Sequence, residues 1–379
     1  MPIYKATGKK DGLQKYNIRI NYMHNGDSKQ LTRTAYGFEA AKDLERKLTD
    51  EVKNPETQPV KKMTVQQLYD KYIKAKQYEV RETTLDRYKQ NYNYFIVPIF
   101  KNVRIDRITP SMLEEWKLSM EEKNLSLSTK RQAFNAFRAL FVYAIKMEYY
   151  FAKNPVSKMG NFKNNSEVKK DMNYYTAEEF TKFKNAAKKI AEEKQSKYQD
   201  LSEWDFYVFF NIAFYTGLRK GEIYGLTWND IDGVYLSVKR SISQRLKGKD
   251  RILPPKNKAS YRTLQIPLPL IQILKEHKKR QSQLENFTAN DIICGGKQSI
   301  RDTTLQRRNK QYATTAGIKT IRIHDFRHSH VSVLVNEGIN IQEIARRLGH
   351  SRIEMTWNTY SHLYPREEER AINILNNIA

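Results

Sequence analysis

Four short passages of this chain carry side chains suited to attack on a phosphodiester. They are Thr216-Gly217-Leu218-Arg219, His324-Asp325-Phe326-Arg327, Leu348-Gly349-His350 and Asn358-Thr359-Tyr360-Ser361-His362. A phosphodiester anion resists nucleophiles and its alkoxide leaves poorly. A catalyst must therefore offset charge on the non-bridging oxygens, supply a nucleophile and protonate the leaving oxygen. Arginine suits the first task, because its planar fork donates in pairs and keeps its charge. Arg219 and Arg327 are the candidates for that task, His324 and His350 for hydrogen bonding and proton transfer, and Tyr360 for the nucleophile. Such a set needs no metal. The seven histidines and single cysteine show no metal-ligand spacing of the Cys-x-x-Cys or His-Glu-x-x-His kind.

Local pattern says how these residues are presented. Gly217 can end a helix, leaving Arg219 near the start of the next, with Glu222 on the same face to hold the guanidinium. His324 and Arg327 at i and i+3 share one helical face. His350 follows a glycine and projects from a tight turn. Plainer readings exist for each: a surface Arg/Glu pair, a basic helix start beside Arg322 and His328, a turn histidine, one packing tyrosine among 24. The combination carries the chemical reading.

The elements around them predict several bodies, since 379 residues are long for one core. Residues 12–34 alternate as two strands about a turn at Asn25-Gly26, and residues 38–53 carry a helical stripe. Residues 54–62 read as a linker. Residues 64–150 read as helices, with caps at Thr64 and Thr109-Pro110 and a fourth helix from about Ser128 to Asn154-Pro155. That helix turns Phe134, Phe137, Phe141 and Ile145 inward and Thr129, Lys130, Arg131, Asn135 and Arg138 outward. Residues 160–170 read as a hinge. Beyond it come a capping box at Thr176, helices to about Gly225, strands over Val234–Ile242, Ile252-Leu253 and Arg262–Ile266 with a turn at Lys247-Gly248-Lys249, then helices with capping boxes at Asn340 and Ser351. The predicted fold class is mainly α with small β-sheets.

The formal net charge is +25, with +3 over residues 1–60, +10 over residues 61–165 and +12 over the rest. Charge of that size favours a polyanionic partner. Cys294 lies in an apolar run, so it reads as a core thiol in a reducing cytoplasm. No stretch approaches the ~18–20 apolar residues of a membrane span.

The four passages, in this order and wording, resemble the tyrosine recombinase (phage integrase) family over residues 172–364, and more loosely over 64–158. The resemblance implies a small sheet-plus-helix module binding arm sites (1–58), a helical core-site-binding domain (63–160) and a catalytic domain with a C-terminal tail helix (172–379). It implies an enzyme of the bacterial cytoplasm, without cofactor, that cuts and rejoins double-stranded DNA through a 3′-phosphotyrosyl bond to integrate or excise a phage or other mobile element. Tyr360 would attack, Arg219 and Arg327 clamp the phosphate, His324 assist proton transfer, and His350 bond the phosphate. The family's lysine, expected on the strand hairpin, would be Lys256, with Lys258, on the same side of that strand, the alternative. Lys130, Arg131 and Arg138 are candidate core-site contacts; Arg19, Lys29 and Arg33 are candidate arm-site contacts. The implied assembly is a homotetramer on DNA linked by C-terminal tails, with an excisionase and DNA-bending proteins as accessory partners. A type IB topoisomerase and a DNA-binding regulator that never cleaves are the rival readings.

Overall fold

The computed structural model describes residues 3–24, 27–53, 62–150, 153–163, 172–244, 250–254, 258–363, 372, 375 and 376. The chain is mainly helical with small antiparallel sheets, and divides into two compact units, residues 1–168 and 169–379.

The first unit begins with an antiparallel meander of β1 (Ile3–Lys10), β2 (Leu13–His24) and β3 (Asp27–Tyr36), with α1 (Phe38–Lys53) against one face. β1 was not expected. Ile3 is its one large apolar residue on the helix side, and a register shift between Lys5 and Lys9 interrupts its alternation. The expected turn at Asn25-Gly26 lies outside the described residues, as do residues 54–61 of the linker and the turn at Lys247-Gly248-Lys249. Directly opposed residues share a face. Ile18 opposes Ile3 and Arg33, and Ile20 opposes Leu31; these rows meet α1, where Ile18, Ala41 and Leu48 are buried. Arg19 opposes Thr32 in the alternate rows, so Arg19 and Arg33 project from opposite faces of the sheet.

The helices α2 (Val65–Lys76), α3 (Glu82–Phe95), the one-turn α4 (Val97–Phe100), α5 (Pro110–Glu122), α6 (Leu127–Lys146) and the short α7 (Pro155–Met159) follow. Thr64 forms its capping box with Gln67, and Thr109 Oγ1 caps α5. Trp116, Phe134, Phe137 and Phe141 are buried in one cluster; each such side chain contributes about 2–3 kcal/mol by leaving water. Three readings are corrected here. Ile145 is exposed. Asn154 does not end α6; its Oδ1 accepts from the amides of Val156 and Ser157 and starts α7. The first residues of the expected hinge belong to the helical core, because Phe162 is buried edge-on against Trp116 and Phe134.

The second unit is built on α8 (Ala177–Tyr198) and α9 (Ser202–Thr216). The sequence of α9 is apolar on all sides, and it lies at the centre of the core, packed by α8, by the later α11 (Leu268–Gln281) and by α13 (Asp325–Asn336). Between them run α10 (Lys220–Tyr224), β4 (Ile231–Asp232), β5 (Tyr235–Val238), β6 (Ser241–Ser243), β7 (Arg251–Leu253) and β8 (Arg262–Gln265), in sheets β4-β5-β8 and β6-β7. The single strand expected over Val234–Ile242 breaks where Lys239 and Arg240 turn to the buried Asp230. Cys294 is fully buried. α12 (Asp302–Thr315), α14 (Ile341–Leu348) and α15 (Glu354–Tyr360) complete the unit. Asn340 caps α14 through the amide of Gln342, but the expected box is not formed, the Glu343 carboxylate accepting from Arg346 instead. The expected box at Ser351 is not formed: α15 starts two residues later, with Ile353 at its N-cap and no side-chain cap.

Candidate active site

Two helix C-termini create the pocket. α9 ends at Gly217 and α14 at Gly349, both in the left-handed conformation (φ 64° in each). Glycine is required at Gly217 on two counts: its φ, and a Cβ that would come within 2.7 Å of the His330 ring. A helix end leaves carbonyls without intrahelical partners, and here arginines take them. Arg327, on the first turn of α13, donates from Nη1 to Gly217 O (2.7 Å) and from Nη2 to Leu348 O (2.8 Å). Arg219 Nη1 reaches the same Leu348 carbonyl at 3.5 Å. Arg262 Nε donates to Arg347 O at 2.7 Å. Three cations thus gather where the helix dipole is negative. The two guanidiniums that the sequence placed 108 residues apart share one acceptor.

Glu222 holds the cluster together. Its Oε1 accepts from Arg219 Nη1 (3.0 Å), its Oε2 from the Arg219 amide (3.0 Å) and from Arg262 Nη2 (2.9 Å). Burial alone would raise the Glu222 carboxyl, but Arg262 and then Arg219 outweigh it and hold it below the ordinary value. Burial, then the charge of Arg219, lowers Arg327 to about 9. The Arg219 Nε and Nη2 protons take up no partner among the described residues, so this guanidinium has donors to spare for an anion.

His350 sits beside Arg327, with Nε2 2.8 Å from Arg327 Nη2 and Nδ1 2.8 Å from Thr356 Oγ1. A guanidinium only donates, so Nε2 accepts and Nδ1 carries the proton. Burial and then Arg327 lower this histidine to about 4, which keeps it neutral. Both ring nitrogens are committed within the protein; His350 aims Arg327. Tyr360, the last residue of α15, is buried with Val331, Val335, Ile344 and Leu348. Its hydroxyl lies 2.8 Å from His328 Nδ1. Burial pushes the phenol up to about 12, against an opposing pull from Arg327. His324 is exposed at the N-cap of α13, its ring perpendicular to that of His328 at 5.3 Å.

The structure therefore brings Arg219, Glu222, Arg327 and His350 into one pocket, with His324 and Tyr360 joined to its neighbourhood through His328. Lys256 lies outside the described residues. Lys258 is in a 3-10 turn, Lys258–Ser260, and not on the strand expected for it. Sequence reading missed Arg262, Thr356 and His328. Only His328 left a local signal, standing one turn after both His324 and Asp325. In the first unit, Lys130 pairs with Glu121, Arg131 Nε donates to Phe162 O (3.0 Å), and Arg138 Nε donates to Ser157 Oγ (3.2 Å).

Residues 176–367, which hold every member of this pocket, match the Phage integrase family. The chain belongs to that family. Residues 64–132 match its N-terminal SAM-like domain. The ICEBs1 integrase of Bacillus subtilis is 27% identical over 89% of this chain and 89% of its own. A XerC-like tyrosine recombinase of Caldanaerobacter subterraneus is 26% identical over 99% of both chains. Among solved structures, the Tn1549 transposon integrase in complex with transposon right end DNA superposes with a TM-score of 0.65 at 24% identity, covering 82% of this chain and 98% of that one. A lambda integrase tetramer on a Holliday junction gives 0.56 at 16% identity, covering 97% and 95%. This family member is a tyrosine recombinase of the integrase type, a DNA breaking-and-rejoining enzyme of site-specific recombination. Among its described residues no helix is long and apolar enough to cross a membrane.

Proposed function

We propose that this integrase moves a mobile element, phage or transposon, into and out of a bacterial chromosome, with Tyr360 as its nucleophile. The observation that carries the reading is the convergence of Arg219 and Arg327 on the Leu348 carbonyl, with Glu222 and His350 fixing their aim. A phosphate seated there meets positive charge already organised, which is the largest single contribution such a site can make. Tyr360 attacks phosphorus, the 5′ oxygen leaves with a proton from Lys256, and the DNA 3′ end stays joined to the phenolic oxygen. His324, at the exposed end of α13, assists proton movement. The covalent ester conserves the bond energy, so rejoining to another strand needs no ATP.

In this reading the enzyme works on double-stranded DNA in the cytoplasm. Residues 63–160 hold the core site, with Arg138 on the exposed side of α6 the best placed of the three basic candidates; Lys130 and Arg131 are occupied by Glu121 and Phe162. Residues 1–58 bind the arm sites. The open face of the sheet carries Asn17, Arg19, Asn21 and Thr34, a set able to bond base edges and phosphates, while Arg33 sits on the other face and serves at most the rim. A homotetramer forms through C-terminal tails. Supporting this, Ile372 and Leu375 are exposed in the tail, and an apolar groove of about 580 Å³ in the second unit is lined by Phe214, Tyr215, Pro267, Val333 and Leu334. Excisionase and bending proteins would set direction.

The test is Tyr360→Phe on a nicked suicide substrate. The variant should bind DNA with affinity near that of the parent and form no covalent protein–DNA adduct. An adduct at parental yield removes Tyr360 from its role.

A further inference from the structure

His328 stands outside the residues given a role above, yet among the described residues it is the side chain hydrogen-bonded to the Tyr360 hydroxyl. Its Nδ1 lies 2.8 Å from Oη, and the two rings are 5.5 Å apart. On the far side of the imidazole, Nε2 faces Asp325 Oδ1 at 3.9 Å. Asp325 is itself buried and pinned by Arg322, whose Nε and Nη2 donate to both its oxygens. A carboxylate facing Nε2 favours the tautomer that carries its proton there. Nδ1 is then a lone pair, and the neutral phenol donates to it. The order carboxylate, imidazole, hydroxyl is the arrangement by which a base orients and deprotonates an oxygen nucleophile.

We propose that His328 is the general base for Tyr360, oriented by Asp325. The inference rests on the reading of Tyr360 as nucleophile. As the phenolic oxygen forms its bond to phosphorus, the Oη proton passes to His328 Nδ1. The P–O5′ bond breaks, and its electron pair goes to the 5′ oxygen, which is protonated by the general acid of the site. The imidazolium so formed is balanced by the Asp325 carboxylate. In rejoining, the 5′ hydroxyl attacks and gives its proton back to the group that had protonated it, the bond from phosphorus to the phenolic oxygen breaks, and His328 returns its proton to that oxygen. Transfer accompanies attack rather than preceding it: burial and the facing His324 lower His328 to about 4, while the phenol stands near 12 until its oxygen bonds to phosphorus. His324 has no contact with Oη among the described residues; its ring meets His328 instead.

The experiment is single-turnover cleavage of a nicked suicide duplex by the full chain. It compares tyrosine with a trifluorinated tyrosine of far lower phenol pKa at position 360, in both the parent and His328→Gln. Glutamine can still accept the phenolic hydrogen bond but cannot take the proton. With ordinary tyrosine, His328→Gln should cleave at least about 100-fold more slowly than the parent. With the fluorinated phenol, which needs no base, the variant should recover at least about 10-fold while the parent gains little. Because the recovery is a ratio within one variant, loss of folded protein cancels from it. No recovery overturns the proposal, leaving His328 a packing residue. Cleavage by His328→Gln at or above the parental rate also overturns it, making the contact a latch that stows the tyrosine. If Tyr360→Phe still forms adducts, the nucleophile assignment fails first, and that result is separate from either outcome.

Discussion

Arg327 and Arg138 are both helix-borne arginines that bond inside the protein, and they differ in what holds them. Arg327 is buried, and its donors end on two carbonyls that belong to helix termini and on one imidazole. Arg138 is exposed on α6 and gives one proton to the hydroxyl of Ser157. The first charge is fixed by backbone, so its position is as rigid as α9 and α14. The second is displayed on a flexible stem in water. The pocket needs a large core behind it, and the second unit has one; the face of α6 needs only a helix. A buried cation has had its desolvation met by folding and can stabilise a fleeting charge, whereas an exposed cation is still in water.

Replacing each arginine in turn sharpens the contrast most. Arg327→Ala should lower single-turnover cleavage by about 10³-fold or more. It should also destabilise the fold by about 2–4 kcal/mol in urea unfolding, because two buried carbonyls and His350 Nε2 lose their donor. A variant that cleaves normally would separate this cluster from the reaction.

Acid separates the units by a middling amount. His328 and His350 are lowered to about 4 and His330 to about 3, in each case first by burial. Folding therefore favours their neutral forms, and the unfolded chain binds more protons below its ordinary value near 6.5. Stability rises with pH where the unfolded state holds the extra protons. The second unit should lose stability as pH falls from about 6.5 to 4, each histidine contributing on the order of 1–3 kcal/mol. The first unit has no histidine whose side chain is described, so amide exchange should show the second unit opening first. Equal loss in both units would mean the histidines contribute little.

Arg138→Ala should have the smallest effect. Affinity should fall less than about 10-fold for every duplex sequence, and the dependence of log K on log salt should become shallower by about 1. A change in cleavage at saturating DNA would move Arg138 into the company of Arg327.

The caps at Thr64, Thr109 and Thr176 were legible in the sequence because a cap is settled within four residues. So was the pairing of Glu222 with Arg219. At Ser351 the same local signal misled, because α15 begins only after Ile353, and its far end is held by Tyr360, buried among Val331, Ile344 and Leu348. β1 was illegible for a related reason: with one large residue toward α1, it is a strand only because β2 supplies the ladder.

The chain's own order of residues supplied the candidates for the chemistry: two arginines, their histidines and a tyrosine, each in its own local wording. It also marked where α9 and α14 stop, since glycine takes the left-handed backbone there with least strain. Only the tertiary structure decided that those two stops face each other, that Arg262 from a distant strand shares Glu222 with Arg219, and that His328 receives the Tyr360 hydroxyl. The physical reason is range. Caps and turns are satisfied by neighbours in sequence, whereas a buried guanidinium or phenol must find its partner wherever the core brings one within hydrogen-bonding distance.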